Sequence, residues 1–259
     1  MGRQQTIDPG EFLRGIAPYS SLDSVEFARL IDAVRVQHLE KGSALFEQGD
    51  ACRGVHVVVS GQIKLAFCSL QGVEKVVGIL GSGDGVGEAC MSIGQHYPMN
   101  AEALADTTLL FLPQAILREC LESNRLFAHQ LMLRIAEKLH FLLLDMEATS
   151  LLSGTERIVS FLVRQLADSS EGPHAVIRLA QTKSIIASRL SLTQEHFSRL
   201  LRQLSERGMI NVEGRHIHIP DVDRLRQYLK SGTGHCVNRG GRSAGRGRER
   251  AGWESLAPA

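Results

Sequence analysis

The stretch of the 259-residue chain whose side chains are best suited to a chemical task reads Leu190-Ser191-Leu192-Thr193-Gln194-Glu195-His196-Phe197-Ser198-Arg199-Leu200-Leu201-Arg202-Gln203-Leu204. On a helix of 3.6 residues per turn, Leu192, Phe197, Leu200, Leu201 and Leu204 fall on one apolar face, and Gln194, Glu195, Ser198, Arg199 and Arg202 point away from it. Thr193 or Ser191 supplies the N-cap oxygen. Glu195 and Arg199 are four apart and share a face. A carboxylate there can accept from cytosine N4 while the guanidinium donates to guanine O6 and N7, which is how a recognition helix reads a G·C step from its N-terminal turns. The plain alternative for such a pair is a surface ion pair worth ~0.3 to 0.5 kcal/mol. Charge context favours nucleic acid. From Arg178 to Arg207 six basic residues, Lys183 among them, face two acidic ones, a local charge of +4 in a chain whose total is +1.

Other reactive side chains are scattered. Cys52, Cys68, Cys90, Cys120 and Cys236 are widely and irregularly spaced, with no Cys-x-x-Cys pair, so neither a zinc ribbon nor a local iron–sulfur run is expected. Free and mostly buried thiols are expected instead. A metal-dependent jelly-roll enzyme needs a His-x-His pair followed by Glu on the roll strands. His216-Ile217-His218 is the only His-x-His, and it lies in a C-terminal hairpin. No P-loop, nucleophile arrangement or paired carboxylates appear elsewhere, so no catalysis is expected.

A helix that reads DNA must be held by other elements, and the chain supplies them in order. Residues 155–166 read as an amphipathic helix, a short β run follows at Val176 to Leu179, and compact helices are expected at 183–190 and 193–207. Gly208 ends the last one, and Ile210, Val212, Ile217 and Ile219 form a hairpin around Glu213-Gly214-Arg215, with a short helix closing the unit. That is the order of a winged helix-turn-helix over 151–230. From Gln114 to about Thr149, after Pro113, glycine and proline almost vanish, and one long helix is expected over 114–150. Met132, Ile135, Leu139, Leu142 and Met146 alternate at spacings of three and four, a heptad seam that predicts dimerisation. The competing reading is a stripe packed on the chain's own β-domain, for which Leu131, Leu133, Leu143 and Leu144 provide further apolar surface.

Before that helix, short β runs at Val55 to Val59, Ile63 to Phe67, Lys75 to Leu80, Ala101 to Ala105 and Thr107 to Leu112 are cut by Gly42, Gly49, Gly61, Gly72 and the Gly81-to-Gly85 cluster. They predict a jelly roll over 21–113, preceded by a segment at 1–20. The fold class is therefore α+β. The tail at 231–259 carries five arginines against two glutamates and almost no core-forming residues, so it is expected to be disordered.

Hydrophobic residues at 43% and charged residues at 22% describe an ordinary globular chain and exclude collagen-like or fully disordered sequences. No run approaches the ~18 apolar residues of a membrane helix, and the first residues lack the apolar core of a secretory signal. A cytoplasmic protein without membrane contact is expected.

Taken together, Leu45-Phe46-Glu47-Gln48-Gly49-Asp50, Ser60-Gly61-Gln62-Ile63-Lys64-Leu65, Gly87-Glu88-Ala89, the long helix and the 192–201 stretch resemble the Crp/Fnr superfamily of bacterial transcription regulators. The resemblance spans residues 22–228. It implies a cyclic-nucleotide-binding-type β-roll, a dimerisation helix and a winged helix-turn-helix, with double-stranded DNA, RNA polymerase and a second copy of the chain as partners. It also implies Glu195, Ser198 and Arg199 at base-reading positions on a palindrome of TTGAT-like half-sites. The effector pocket it implies involves Gly87, Glu88, Met99 and Asn100. Members that bind cyclic AMP carry an arginine next to Ser or Thr where Met99-Asn100 stands here, and without that charge-assisted contact cyclic AMP is not the expected effector. No cysteine precedes Cys52, whereas oxygen-sensing Fnr proteins carry an N-terminal cysteine cluster, so no iron–sulfur cluster is expected.

The run Gly87-Glu88-Ala89-Cys90-Met91 and the helix 194–201 are most similar to the Dnr-type branch, regulators of denitrification associated with nitric oxide and haem. Haem enters through that resemblance alone, and no spacing selects its ligands from His56, Cys68, Met91, His96, Met99 and His140. Another small ligand, or none, stands as the alternative. A β-roll that regulates a partner protein without touching DNA is a further one, against which the basic helix-turn-helix argues.

Overall fold

The computed structural model describes residues 7–167 and 174–233. Two short helices open it, α1 (Pro9–Arg14) and α2 (Ser24–Ala33), so the segment before residue 21 is partly helical. Asp23 caps α2 by accepting from the backbone N–H groups of Val25 and Glu26, and Glu26 reaches back to the Asp23 N–H, a complete capping box.

Eight strands follow: β1 (Arg35–Leu39), β2 (Ala44–Phe46), β3 (Gly54–Ser60), β4 (Ile63–Cys68), β5 (Glu74–Leu80), β6 (Gly85–Val86), β7 (Asn100–Ala103) and β8 (Thr107–Pro113), with α3 (Glu88–Ile93) between β6 and β7. They form two antiparallel sheets, ordered β1-β8-β3-β6 and β2-β7-β4-β5. Phe46, Val58, Ile63, Tyr97, Ala101, Ala103 and Leu109 fill the space between the sheets. Val55, Val57, Val59, Leu110 and Leu112 face the other way, onto Leu13, Phe27 and Leu30 of the N-terminal helices and onto Leu117, Phe127 and Leu131. β3 is covered on both sides, which is why it lacks the alternation of a half-buried strand.

The expected single helix over 114–150 is two: α4 (Gln114–Ser123) and α5 (Arg125–Leu151). Asn124 separates them in an extended conformation (φ −121°, ψ 103°), and its Oδ1 accepts from the Phe127 N–H at 2.9 Å, capping α5. Its amide donates to Glu26 Oε2 at 2.7 Å, and the Ser123 hydroxyl donates to Glu26 Oε1 at 2.8 Å. α2 therefore anchors the break. These same bonds hold the Glu26 carboxyl below its ordinary pKa, that from Asn124 most.

The C-terminal unit comprises α6 (Gly154–Ala167), β9 (Ala175–Arg178), α7 (Lys183–Arg189), α8 (Gln194–Glu206), the hairpin β10 (Asn211–Glu213) and β11 (His216–Ile219), and α9 (Val222–Thr233). β9 completes the small sheet in the order β10-β11-β9. Ile158, Leu162, Ile186, Phe197, Leu201, Leu204, Ile217 and Leu225 form its core. Of the tail expected to be disordered over 231–259, residues 231–233 end α9 and the rest lies outside the described residues, as does Cys236.

This unit docks on the free edge of the second sheet. The Val76 N–H donates to Ser188 Oγ at 3.0 Å, and that hydroxyl donates to the Glu74 carbonyl at 2.8 Å. Lys75 Nζ donates to the Ser188 and Arg189 carbonyls at 3.2 and 2.9 Å and to the Ser191 hydroxyl. α7 thus occupies backbone groups of an edge strand that would otherwise be open to pairing.

Candidate nucleic-acid interface and effector pocket

α8 is built as its apolar periodicity requires. Phe197, Leu200, Leu201 and Leu204 are buried, and Thr193 Oγ1 accepts from the His196 N–H at 3.2 Å to cap the helix. Ser191, the other capping candidate, stands in the preceding turn at φ +56°. Gly154 opens α6 directly against α8: a Cβ on it would lie 2.8 Å from Leu200 Cδ1 and 3.2 Å from Leu192 Cδ2. Glycine lets the two helices meet this closely.

The opposite face carries Gln194, Glu195, Ser198, Arg199 and Arg202, all exposed. Among the described residues no ion pair joins Glu195 to Arg199, so the i,i+4 salt bridge is not made and both groups are available to an outside partner. Thr193 is exposed beside them, and Lys183 opens α7 half-buried. On the wing, His218 Nε2 lies 3.4 Å from Glu213 Oε2.

The residues expected at an effector pocket separate into two places. Gly87 has φ +110°, and a Cβ on it would lie 2.5 Å from the Gly54 carbonyl oxygen, so the backbone requires glycine there. Glu88, the first residue of α3, is 3% exposed. Its Oε1 pairs with Lys138 Nζ at 2.8 Å and Arg134 Nε at 3.6 Å, both on α5. Lys138 also donates to the Gly85 carbonyl at 2.7 Å, and Arg134 to those of Ala17 and Gly83. Asn100 faces elsewhere: its Oδ1 accepts from the Gln48 N–H at 2.7 Å, next to half-buried Met99. Sequence reasoning gave no hint of the Glu88–Lys138–Arg134 cluster, because a buried glutamate announces its partners only through tertiary structure.

Seam residues Met132, Leu139, Leu142 and Met146 are 53–66% exposed along α5. Ile135 departs from the expectation and packs half-buried against the roll core. Of the apolar residues set aside for the roll, Leu131 is buried there, whereas Leu133 and Leu143 are exposed, as is Phe141. Cys120 is buried, Cys52 and Cys90 are half-buried and Cys68 is exposed, all as free thiols, so burial is less general than expected. Burial pushes the Cys120 thiol up to about 11.

A cleft of about 430 Å³ lies where α5 meets α6 and the end of α7. A shallower cleft of about 310 Å³ lies beside Phe46, His56, Tyr97 and Phe111 on the roll. Among the described residues no group of three or more His, Cys, Asp and Glu side chains is placed to hold a metal ion, and no helix is long and apolar enough to cross a membrane.

Comparison with known proteins agrees with this architecture. Residues 36–124 match the cyclic nucleotide-binding domain family, and residues 156–228 match the Crp-like helix-turn-helix domain family. The chain is 31% identical over 210 residues to the fumarate and nitrate reduction regulatory protein of Escherichia coli, covering 79% of this chain and 80% of that one. The FixK2 structure from Bradyrhizobium japonicum superposes with a TM-score of 0.66 at 22% identity, over 75% of this chain and 96% of FixK2. A CooA variant from Carboxydothermus hydrogenoformans gives the same TM-score of 0.66 at 22% identity, over 76% and 88% of the two chains. The latter two show a shared fold. The two matched domain families and the 31% identity to the E. coli regulator show that the chain belongs to the Crp/Fnr family of DNA-binding transcription regulators.

Proposed function

We propose that the protein is a cytoplasmic homodimer that binds a palindrome of TTGAT-like half-sites and thereby recruits or blocks RNA polymerase. Glu195, Ser198 and Arg199 read base edges, Gln194 and Arg202 flank them, Thr193 holds the helix N-terminus in register and Lys183 contacts a phosphate. The observation that carries the reading is the outer face of α8, where these polar side chains are exposed and Glu195 and Arg199 are not spent on each other. Met132, Leu139, Leu142 and Met146 form the seam between copies, Ile135 contributing less because the roll already covers part of it. Arg199→Ala is expected to cost ~1 to 3 kcal/mol of binding and to relax preference at one base pair, whereas Lys183→Ala weakens all sequences alike. Gel-shift titration against site variants checks both, and an unchanged preferred site in Arg199→Ala contradicts the assignment.

An effector acts through its differential affinity for DNA-competent and incompetent arrangements. Glu88, bound to two cations of α5, serves as the link between roll and helix rather than as a ligand contact, and Met99 supplies no charge for a cyclic phosphate. Haem would require an axial imidazole, thiolate or thioether at the centre of a broad apolar slot. Among the described residues, the six candidate ligands do not fit one. Met91 is sealed in the core, Cys68, His96 and His140 are exposed on separate elements, Met99 flanks Asn100, and His56 stands among the rings of Phe46 and Phe111 beside the small 310 Å³ cleft. The signal is therefore a different small ligand, or the regulator is controlled by its abundance.

A further inference from the structure

The cleft of about 430 Å³ between α5, α6 and α7 falls within the range of small-molecule sites, ~300 to 1,000 Å³. Phe141 and Asp145 line it from α5, Arg157, Phe161 and Arg164 from α6, and Arg189 from the end of α7. Three guanidinium groups therefore face one carboxylate, an excess of two positive charges.

Their own partners do not use them up. Arg157 Nη1 donates to the Leu190 and Ser191 carbonyls at 2.7 and 3.2 Å and its Nε is buried without an acceptor, so neutral partners leave its positive charge uncompensated beside the cleft. A buried donor left unpaired is costly, all the more on a charged group. The Arg189 guanidinium has neither an acceptor nor an ion-pair partner among the described residues. Arg164 alone is paired, with Asp145 at 2.8 Å. The field extends beyond the cleft: burial pushes the Lys75 amine below its ordinary pKa, Asp145 opposes this, and Arg157 and Arg189 add to it.

We propose that this cleft binds a small aryl phosphate monoester, its dianionic phosphate among Arg157, Arg164 and Arg189 and its ring against Phe141 and Phe161. Guanidinium and phosphate match in charge and in bidentate geometry, and the two phenyl walls favour a flat apolar group over water. Because the walls come from the helix of the proposed dimer seam and from two helices of the DNA-binding unit, the ligand favours the arrangement seen here over any in which they separate. That regulatory consequence rests on the DNA-binding reading above; the site itself does not.

Calorimetric titration of the full-length protein with phenyl phosphate, phenylacetate, inorganic phosphate and phenol tests the site. Phenyl phosphate is expected to saturate it, with inorganic phosphate and phenylacetate about tenfold or more weaker and phenol inert. Asp145→Asn frees Arg164 of its competing carboxylate and is expected to tighten phenyl phosphate about threefold or more, an outcome that a purely structural role for these arginines does not produce. Arg164→Gln, which alters only a half-exposed pair, is expected to weaken it about tenfold with the melting temperature unchanged. No saturable heat in either the wild type or Asp145→Asn overturns the site, as does binding that neither substitution alters. Gel shifts with and without phenyl phosphate separate the two readings: saturable heat with unchanged DNA affinity overturns the regulatory consequence alone, and absence of DNA binding altogether overturns the DNA reading and leaves the calorimetric result standing.

Discussion

His56 shows what one buried side chain does to the whole. It is 8% exposed, its ring lies 4.9 Å from that of Phe111, and Nδ1 is 3.1 Å from Gln37 Oε1. Burial pushes its pKa down to about 4. The unfolded chain, with an ordinary histidine near 6.5, binds the proton first as pH falls. Stability is accordingly expected to fall between about pH 6.5 and pH 4, by up to ~3 kcal/mol from this residue. Urea midpoints across that window check it: His56→Gln should flatten the slope, and an equal slope in the variant contradicts the assignment. Nothing near His56 in the sequence names Gln37 as its partner, just as nothing near Glu88 names Arg134 and Lys138. By contrast, the outward set of α8 was legible, because a 3.6-residue period sorts neighbours without knowledge of the fold.

At the level of elements, α5 carries an apolar stripe that the chain leaves uncovered along Leu139, Leu142 and Met146. Leu142→Glu, placing a charge in the proposed seam, is expected to shift the protein to monomer in sedimentation velocity at micromolar concentration, without loss of the roll's fold. A dimer unchanged by it moves the interface elsewhere. The existence of the helix was readable from composition, and spacing picked out most of the apolar stripe that the fold leaves exposed. The division at Asn124 was not, because Ser-Asn inside a leucine-rich run is a weak signal, and the break is fixed by Glu26, almost a hundred residues earlier. The sorting of leucines was equally hidden: Leu131 and Leu133 look alike in sequence, yet one is buried on the roll and the other is exposed. The strands were easier to place, since glycine turns separate them and β3 is apolar throughout for having both faces covered.

Across the whole molecule, the DNA-binding unit is held by the roll's edge strand through Ser188 and Lys75, and the roll is held to α5 through Glu88. On the proposed function, an effector that moves any one of these joints would change where α8 points. The central claim is that two copies of this chain present two α8 helices to one duplex. Selection of bound sequences from a random duplex library by the full-length protein tests it most directly. The expected result is an enriched palindrome with TTGAT-like half-sites whose centres lie about one helical turn apart, lost in Arg199→Ala at the base pair it reads and broken down to half-site binding in Leu142→Glu. Enrichment of no sequence, or of a single unpaired half-site by the wild type, would contradict it.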